Sequence, residues 1–211
     1  MDEYEQPTEE DIKEFEELQG ELADTYYLTI GKGITAWSQT EGSLVVIGAV
    51  LLDTKYEKAG LVFYSITNFH TWLSIIDELF AMEPRFQALL SDWREIAERL
   101  KKLNDTRVRL AHHAVHAGKG IEAMAAGEGL NVLMPSLKPN QYDTRTKSKK
   151  HSPLQLKQLA DFVTELVPVS VKLNKLLEQM APIYLDPRRK LVARIRKFKQ
   201  EVSDLRAKKD S

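Results

Sequence analysis

Three of the chain's five histidines fall in one short segment, Leu103-Asn104-Asp105-Thr106-Arg107-Val108-Arg109-Leu110-Ala111-His112-His113-Ala114-Val115-His116, beside two arginines. Histidine is the side chain whose ordinary titration lies nearest neutral pH, so it can take or give a proton during a reaction. Arginine keeps its positive charge and presents a fork of N–H donors that fits a phosphate or a carboxylate. The segment therefore combines proton carriers with anion binders. His112 and His116, four apart, also have the spacing of a helical metal chelate. A metal is not the expectation, because no HExxH pattern is present and the chain has no cysteine. The lack of cysteine further excludes disulfides, thiolate zinc sites and cysteine nucleophiles. No GxSxG nucleophile turn occurs.

These side chains need elements to hold them. Apolar residues recur at three and four along most of the chain, the period of an amphipathic helix. The spacing predicts helices over 8–28, 32–53, 56–82, 85–117, 153–180 and 187–208. Pro84 suits the first turn of the fourth, and Gly118 and Gly120 suit its end. Ser152-Pro153 with Gln155 reads as an N-cap and capping box. Pro168 should kink or break the fifth helix. Segment 118–151, rich in glycine and polar residues around Leu130–Met134, reads as a long loop with a short hairpin. The expected fold is all-α, an antiparallel helical bundle with a C-terminal helical extension. Its parts are an acidic N-terminal helix (1–29), a bundle domain (30–180) and a basic C-terminal helix (181–211).

On a wheel of the 85–117 helix, Trp93, Ile96, Leu100, Leu103, Leu110, Ala111, Ala114 and Val115 share one broad arc, the expected core face. Arg109, His113 and His116 lie on the other side, and His112 sits at the border. Arg107 projects from the middle of the apolar arc, with Asn104 beside it. An unpaired buried charge costs several kcal/mol, so a partner is expected. Glu41 is the natural one, since it sits within the apolar stripe Ile34, Trp37, Leu44, Val45, Gly48 and Leu52. His70 and Asp77 lie beside the stripe of the third helix and are candidates for a polar pocket. Each residue also has an ordinary structural reading. Arg107 with Glu41 is then a buried ion pair, and His112 is a core-edge or capping residue. His113 and His116 are surface residues near a helix C-terminus, and Trp37, Trp72 and Trp93 are core anchors.

Arg107-Val108-Arg109-Leu110-Ala111-His112 resembles the Arg-x4-His signature of HEPN domains, which ends a long helix in an all-helical bundle. Upstream, Trp37-x3-Glu41 and the helix order also resemble small bacterial proteins of this type. The resemblance implies metal-independent RNA cleavage with no cofactor. Arg107 and His112 would be the catalytic pair, supported by Glu41, Asn104, Arg109 and His113. RNA supplies its own nucleophile, the 2′-hydroxyl, and a guanidinium can offset charge developing on the phosphate. On one straight helix Arg107 and His112 diverge by roughly 140°. Similar proteins bring two copies of the motif together, which implies a homodimer. They also imply a toxin or anti-phage setting, with RNA and a cognate antitoxin as partners. HEPN ribonucleases usually carry a polar residue after the motif arginine, where this chain has Val108.

Composition bounds the rest. The 211 residues are 43% hydrophobic and 29% charged, which reads as globular. Thirty Lys+Arg balance 31 Asp+Glu, so a uniformly basic nucleic-acid coat is excluded. Charge is nevertheless polarised, with eleven acids and one lysine in residues 1–24 against ten Lys/Arg and four acids in residues 186–210. Lys147, Lys149 and Lys150 of the loop, with Arg188, Arg189 and Arg194, are the candidate phosphate contacts. The ordinary reading is two solvated helix faces. The apolar run Gly42–Leu52 is too short to span a bilayer, and the acidic N-terminus is unlike a secretory signal. No membrane partner and a cytoplasmic location are therefore expected. The rival to the RNA reading is a non-catalytic, dimeric helical interaction module.

Overall fold

The computed structural model describes residues 8–119, 126–127, 135–139, 153–184, 195 and 198. Among them are five α-helices: α1 Glu9–Leu51, α2 Tyr56–Tyr64, α3 Phe69–Met82, α4 Leu90–His112 and α5 Leu156–Tyr184. A 3₁₀ turn, Pro84–Leu89, precedes α4. A two-stranded antiparallel ribbon joins β1 (His113–His116) to β2 (Ser136–Pro139). The fold is an all-α helical bundle with this one small ribbon added. No described helix is long and apolar enough to cross a membrane.

α1 starts on a reciprocal cap. The Thr8 hydroxyl accepts from the Asp11 N–H at 3.2 Å, and Asp11 Oδ2 accepts the Thr8 N–H at 2.8 Å. The Thr8 hydroxyl, which also donates to Asp11 Oδ2 at 2.7 Å, and then the Thr8 N–H hold the Asp11 carboxyl below its ordinary value. The helix then runs 43 residues without a break, where the spacing predicts two helices parting near residue 30. The proposed boundary at 29/30 thus falls inside α1. A glycine costs a helix about 0.5–1 kcal/mol, and packing at Gly33 offsets it. A Cβ there would lie 3.3 Å from the Phe162 ring and 3.5 Å from Leu110, so the glycine lets both side chains close on the backbone.

The expected 56–82 helix is two helices. Asn68 caps α3 by accepting the His70 N–H at 2.9 Å, and the Trp72 indole donates to the Ile66 carbonyl at 2.9 Å. A cap-forming asparagine after β-branched Ile66 and Thr67 favours the break. α4 also differs from its expected span. It ends at His112, and residues 113–116 are strand, so Gly118 does not stop a helix. The cause is non-local: His113, Ala114, Val115 and His116 pair with Pro139, Lys138, Leu137 and Ser136, and Leu137 bridges in turn to Leu154. Pro168 does not end α5, which continues from Leu156 to Tyr184. Pro168 and Thr164 are both exposed, so the carbonyl deprived of its N–H partner lies on the solvent side. Buried Leu166, Val169 and Leu173 hold the other side.

Two compact units divide the chain: residues 1–44 with 95–172, and residues 45–94 with 173–211. In the first, Trp37 stacks on Phe162 with centroids 6.3 Å apart. In the second, Phe80 stacks on Trp93 at 5.7 Å and Phe63 meets Trp72 edge-on at 5.3 Å. Asp77 is bound by the Arg94 fork at 3.0 and 3.1 Å, and His70 is exposed, so neither forms the expected polar pocket. Gly48 sits under Phe63, and a Cβ there would lie 2.8 Å from the ring's Cζ. Gly48→Ala should therefore cost about 1–3 kcal/mol in chemical denaturation through overpacking. Gly20→Ala, with nothing within 4 Å, should be neutral or stabilising. Equal effects at the two positions would contradict this packing.

Candidate functional site

The first unit places the motif residues on α1, α4 and β1. Trp37 and Glu41 stand one turn apart on α1, and the Trp37 Nε1–H donates to Glu41 Oε1 at 2.7 Å. Trp37 is buried, and the Glu41 side chain is only 17% exposed. Arg107 reaches the same oxygen from α4, its Nη2 donating at 3.4 Å. One carboxylate oxygen thus serves an indole at short range and a guanidinium at long range. The partner expected for Arg107 is the one observed.

Its burial is not. The Arg107 side chain is 40% exposed, whereas the wheel puts it in the middle of a core face. The buried stripe of α4 runs through Trp93, Ile96, Leu100 and Leu103, then thins: residues 106–109 are all half-buried before Leu110 is covered again. The helix ends five residues early, so Ala111 and Ala114 are exposed rather than core. Arg107 consequently lies at the margin of the apolar contact, its side chain part covered and part in water.

The other predicted residues separate into three groups. Asn104, one turn before Arg107, is buried, and its Oδ1 finds no donor among the described residues. His112 is the last residue of α4 and is exposed. Arg109, expected on the solvent face, is half-buried and donates from Nη2 to the Pro153 carbonyl at 3.0 Å. Burial lowers its pKa, and Asp105 pushes it back up. His113 opens β1 opposite Pro139 and is half-buried, not a helix-end surface residue. His116 pairs across the ribbon with buried Ser136.

Because His116 is in a strand, the helical spacing that would let it chelate a metal with His112 is not formed. No group of three or more metal-capable side chains occurs among the described residues. Lys147, Lys149, Lys150, Arg188, Arg189 and Arg194 lie outside the described residues. Sequence reasoning took Trp37 for a core anchor and missed its role as donor to Glu41. The one-turn spacing of the pair was the signal. It also missed the Pro153 carbonyl, which no local pattern marks.

No protein-family model, curated protein or solved structure matches the chain.

The two contacts on Glu41 should differ in strength. In double-mutant cycles by denaturation, Trp37→Phe with Glu41→Leu should show coupling of about 1.5–3 kcal/mol, as for a bond to a charged acceptor. Arg107→Met with Glu41→Leu should show under ~1 kcal/mol, as for a half-exposed pair. The reverse order would mean that Arg107 is the structural anchor of this carboxylate.

Proposed function

We propose that this chain is a HEPN-like protein that binds RNA and cleaves it without a metal, with Arg107 and His112 as the reacting pair. The observation that supports this most is the state of Arg107. One edge of its guanidinium rests on Glu41, the side chain is 40% exposed, and no other acceptor binds it among the described residues. That leaves N–H donors directed away from the carboxylate, as phosphate binding requires. His112 stands five residues on, exposed, at the end of the same helix.

In the cleavage step the 2′-oxygen bonds to the adjacent phosphorus as the P–O5′ bond breaks. One proton leaves the 2′-hydroxyl and one reaches the departing O5′, so charge balances. A histidine at either oxygen carries that proton, and the guanidinium binds the non-bridging oxygens as negative charge builds there. Each chain holds one His112, so two protons call for two copies, in line with the homodimer that the resemblance implies. Asn104 and Arg109 flank the pair and support its placement.

The test is cleavage of a single-stranded RNA oligonucleotide in EDTA. Wild type should cut it, and should leave a 2′-deoxy analogue intact. Arg107→Ala and His112→Ala should each lose roughly 10²–10³-fold in rate. Their melting temperatures should barely move, because both side chains are substantially exposed. If wild type never cuts RNA and Arg107→Ala merely lowers the melting temperature, the chain is the non-catalytic interaction module. If deletion of residues 186–211 leaves salt-dependent RNA retention unchanged, the basic tail is a solvated face.

A further inference from the structure

Successive side chains on a strand point to opposite sides, so the ribbon has two faces. Its register sets Ala114 opposite Lys138 and His116 opposite Ser136. These four share one face, and His113, Val115, Leu137 and Pro139 share the other. Leu137 anchors that second face in the core. The first face carries donors with nothing to bind. Ser136 is 2% exposed, and its Oγ has no hydrogen-bond partner. His116, opposite it, is half-buried, and its Nε2 is covered and unpartnered as well. Lys138, two residues on from Ser136, is half-buried, and no carboxylate pairs with it among the described residues. A buried polar group without a partner costs stability, and native folds hold few of them. Two at facing positions, beside an ammonium that nothing neutralises, mark a place for a ligand.

The donor types say which ligand. The ammonium brings N–H donors and positive charge, the hydroxyl an O–H, and the imidazole a ring N–H. An oxyanion accepts from all three, whereas a metal ion would be repelled by the ammonium. Facing positions on a ribbon have Cβ atoms about 4.5–5.5 Å apart and diagonal ones about 7–8 Å, so the three side chains can close on one small group. The strand is also held ready. Pro135 and Pro139 bracket Ser136, Leu137 and Lys138, and each proline fixes its own φ. The Leu137 N–H donates to the Leu154 carbonyl at 3.2 Å, and the Leu154 N–H donates back at 2.8 Å. Ala114 is exposed and offers only a methyl group, so the approach lies over it.

We infer that this face of the ribbon binds a phosphate group, with Lys138, His116 and Ser136 each donating to a terminal oxygen. The phosphate enters over Ala114, meets Lys138 at the rim, and reaches the Ser136 hydroxyl as the His116 ring turns aside. Orthophosphate and the 5′-terminal phosphate of a nucleotide chain present the same kind of oxygens. The inference stands on the ribbon alone and does not depend on RNA cleavage.

The test is NMR of the ¹⁵N-labelled full chain titrated with sodium phosphate at constant ionic strength. The amides of Ala114, His116, Ser136 and Lys138 should shift along one saturating curve. Lys138→Gln and Ser136→Ala should each weaken that binding at least ~10-fold, as loss of a donor to a charged group does. Without phosphate, Ser136→Ala should melt at the wild-type temperature or above it, because it removes a hydroxyl that folding leaves unpaired. Arg107→Ala should bind phosphate as wild type does, so failure of the RNA reading leaves this result untouched. A 5′-phosphorylated dinucleotide that binds at least ~10-fold tighter than orthophosphate, while its unphosphorylated form leaves the ribbon unshifted, assigns the site to a nucleotide end. A dinucleotide that binds no tighter assigns it to orthophosphate itself. Ribbon amides that do not saturate with phosphate, or binding that either variant leaves unchanged, would overturn the site.

Discussion

A carboxylate that is mostly withdrawn from water must be given donors, and Glu41 is given them unequally. Trp37, a turn earlier on α1, supplies a short indole bond, and Arg107 of α4 supplies a long one. The indole bond fixes the carboxylate oxygen without calling on the arginine. Arg107 is therefore attached to the protein at one edge and retains capacity at the other. Were Trp37 unable to donate, Arg107 would have to serve Glu41 fully, and the site would be an ordinary ion pair. The stacking of Trp37 on Phe162 ties this arrangement to α5, so the donor is held by packing as well as by its own helix.

The second constraint is where α4 stops. An amphipathic helix carried on to Gly118 would have put three histidines on one rod. Strand pairing with residues 136–139 takes over at His113 instead. That leaves His112 alone at the exposed helix end, and it carries His113 and His116 into a ribbon whose far strand is partly buried through Ser136 and Leu137. The segment that looked like one cluster in sequence is thus two environments: exposed His112 at the helix end, and half-buried Arg107, Arg109, His113 and His116.

Much of the architecture was legible because it is local and periodic. The stripe Trp93, Ile96, Leu100 and Leu103 repeats at three and four, Leu110 follows seven residues on, and all of it is buried. Glu41 and Arg107 could be matched because each was a charged residue in an otherwise apolar face. What escaped notice depends on distant partners. The chain reads as two helices parting near residue 30 until Phe162 and Leu110 are known to need the space at Gly33. Pro168 looks like a stop until its side of α5 is known to face water. The β1 strand has no signal of its own, since its partner is some twenty residues away. The exposure of Arg107 was hidden for the same reason: a helical wheel shows direction, not how far the neighbouring helix extends.

The claim at the centre is that Glu41 and Trp37 hold one edge of Arg107 and leave the other for a phosphate. NMR of the ¹⁵N-labelled chain during titration with a short single-stranded RNA reads this directly. The Arg107 guanidinium and His112 ring resonances should shift together and saturate, while the Trp37 indole N–H stays where it is. A Trp37 signal that moves in step with Arg107, or an Arg107 signal that stays still while RNA binds elsewhere, would contradict it.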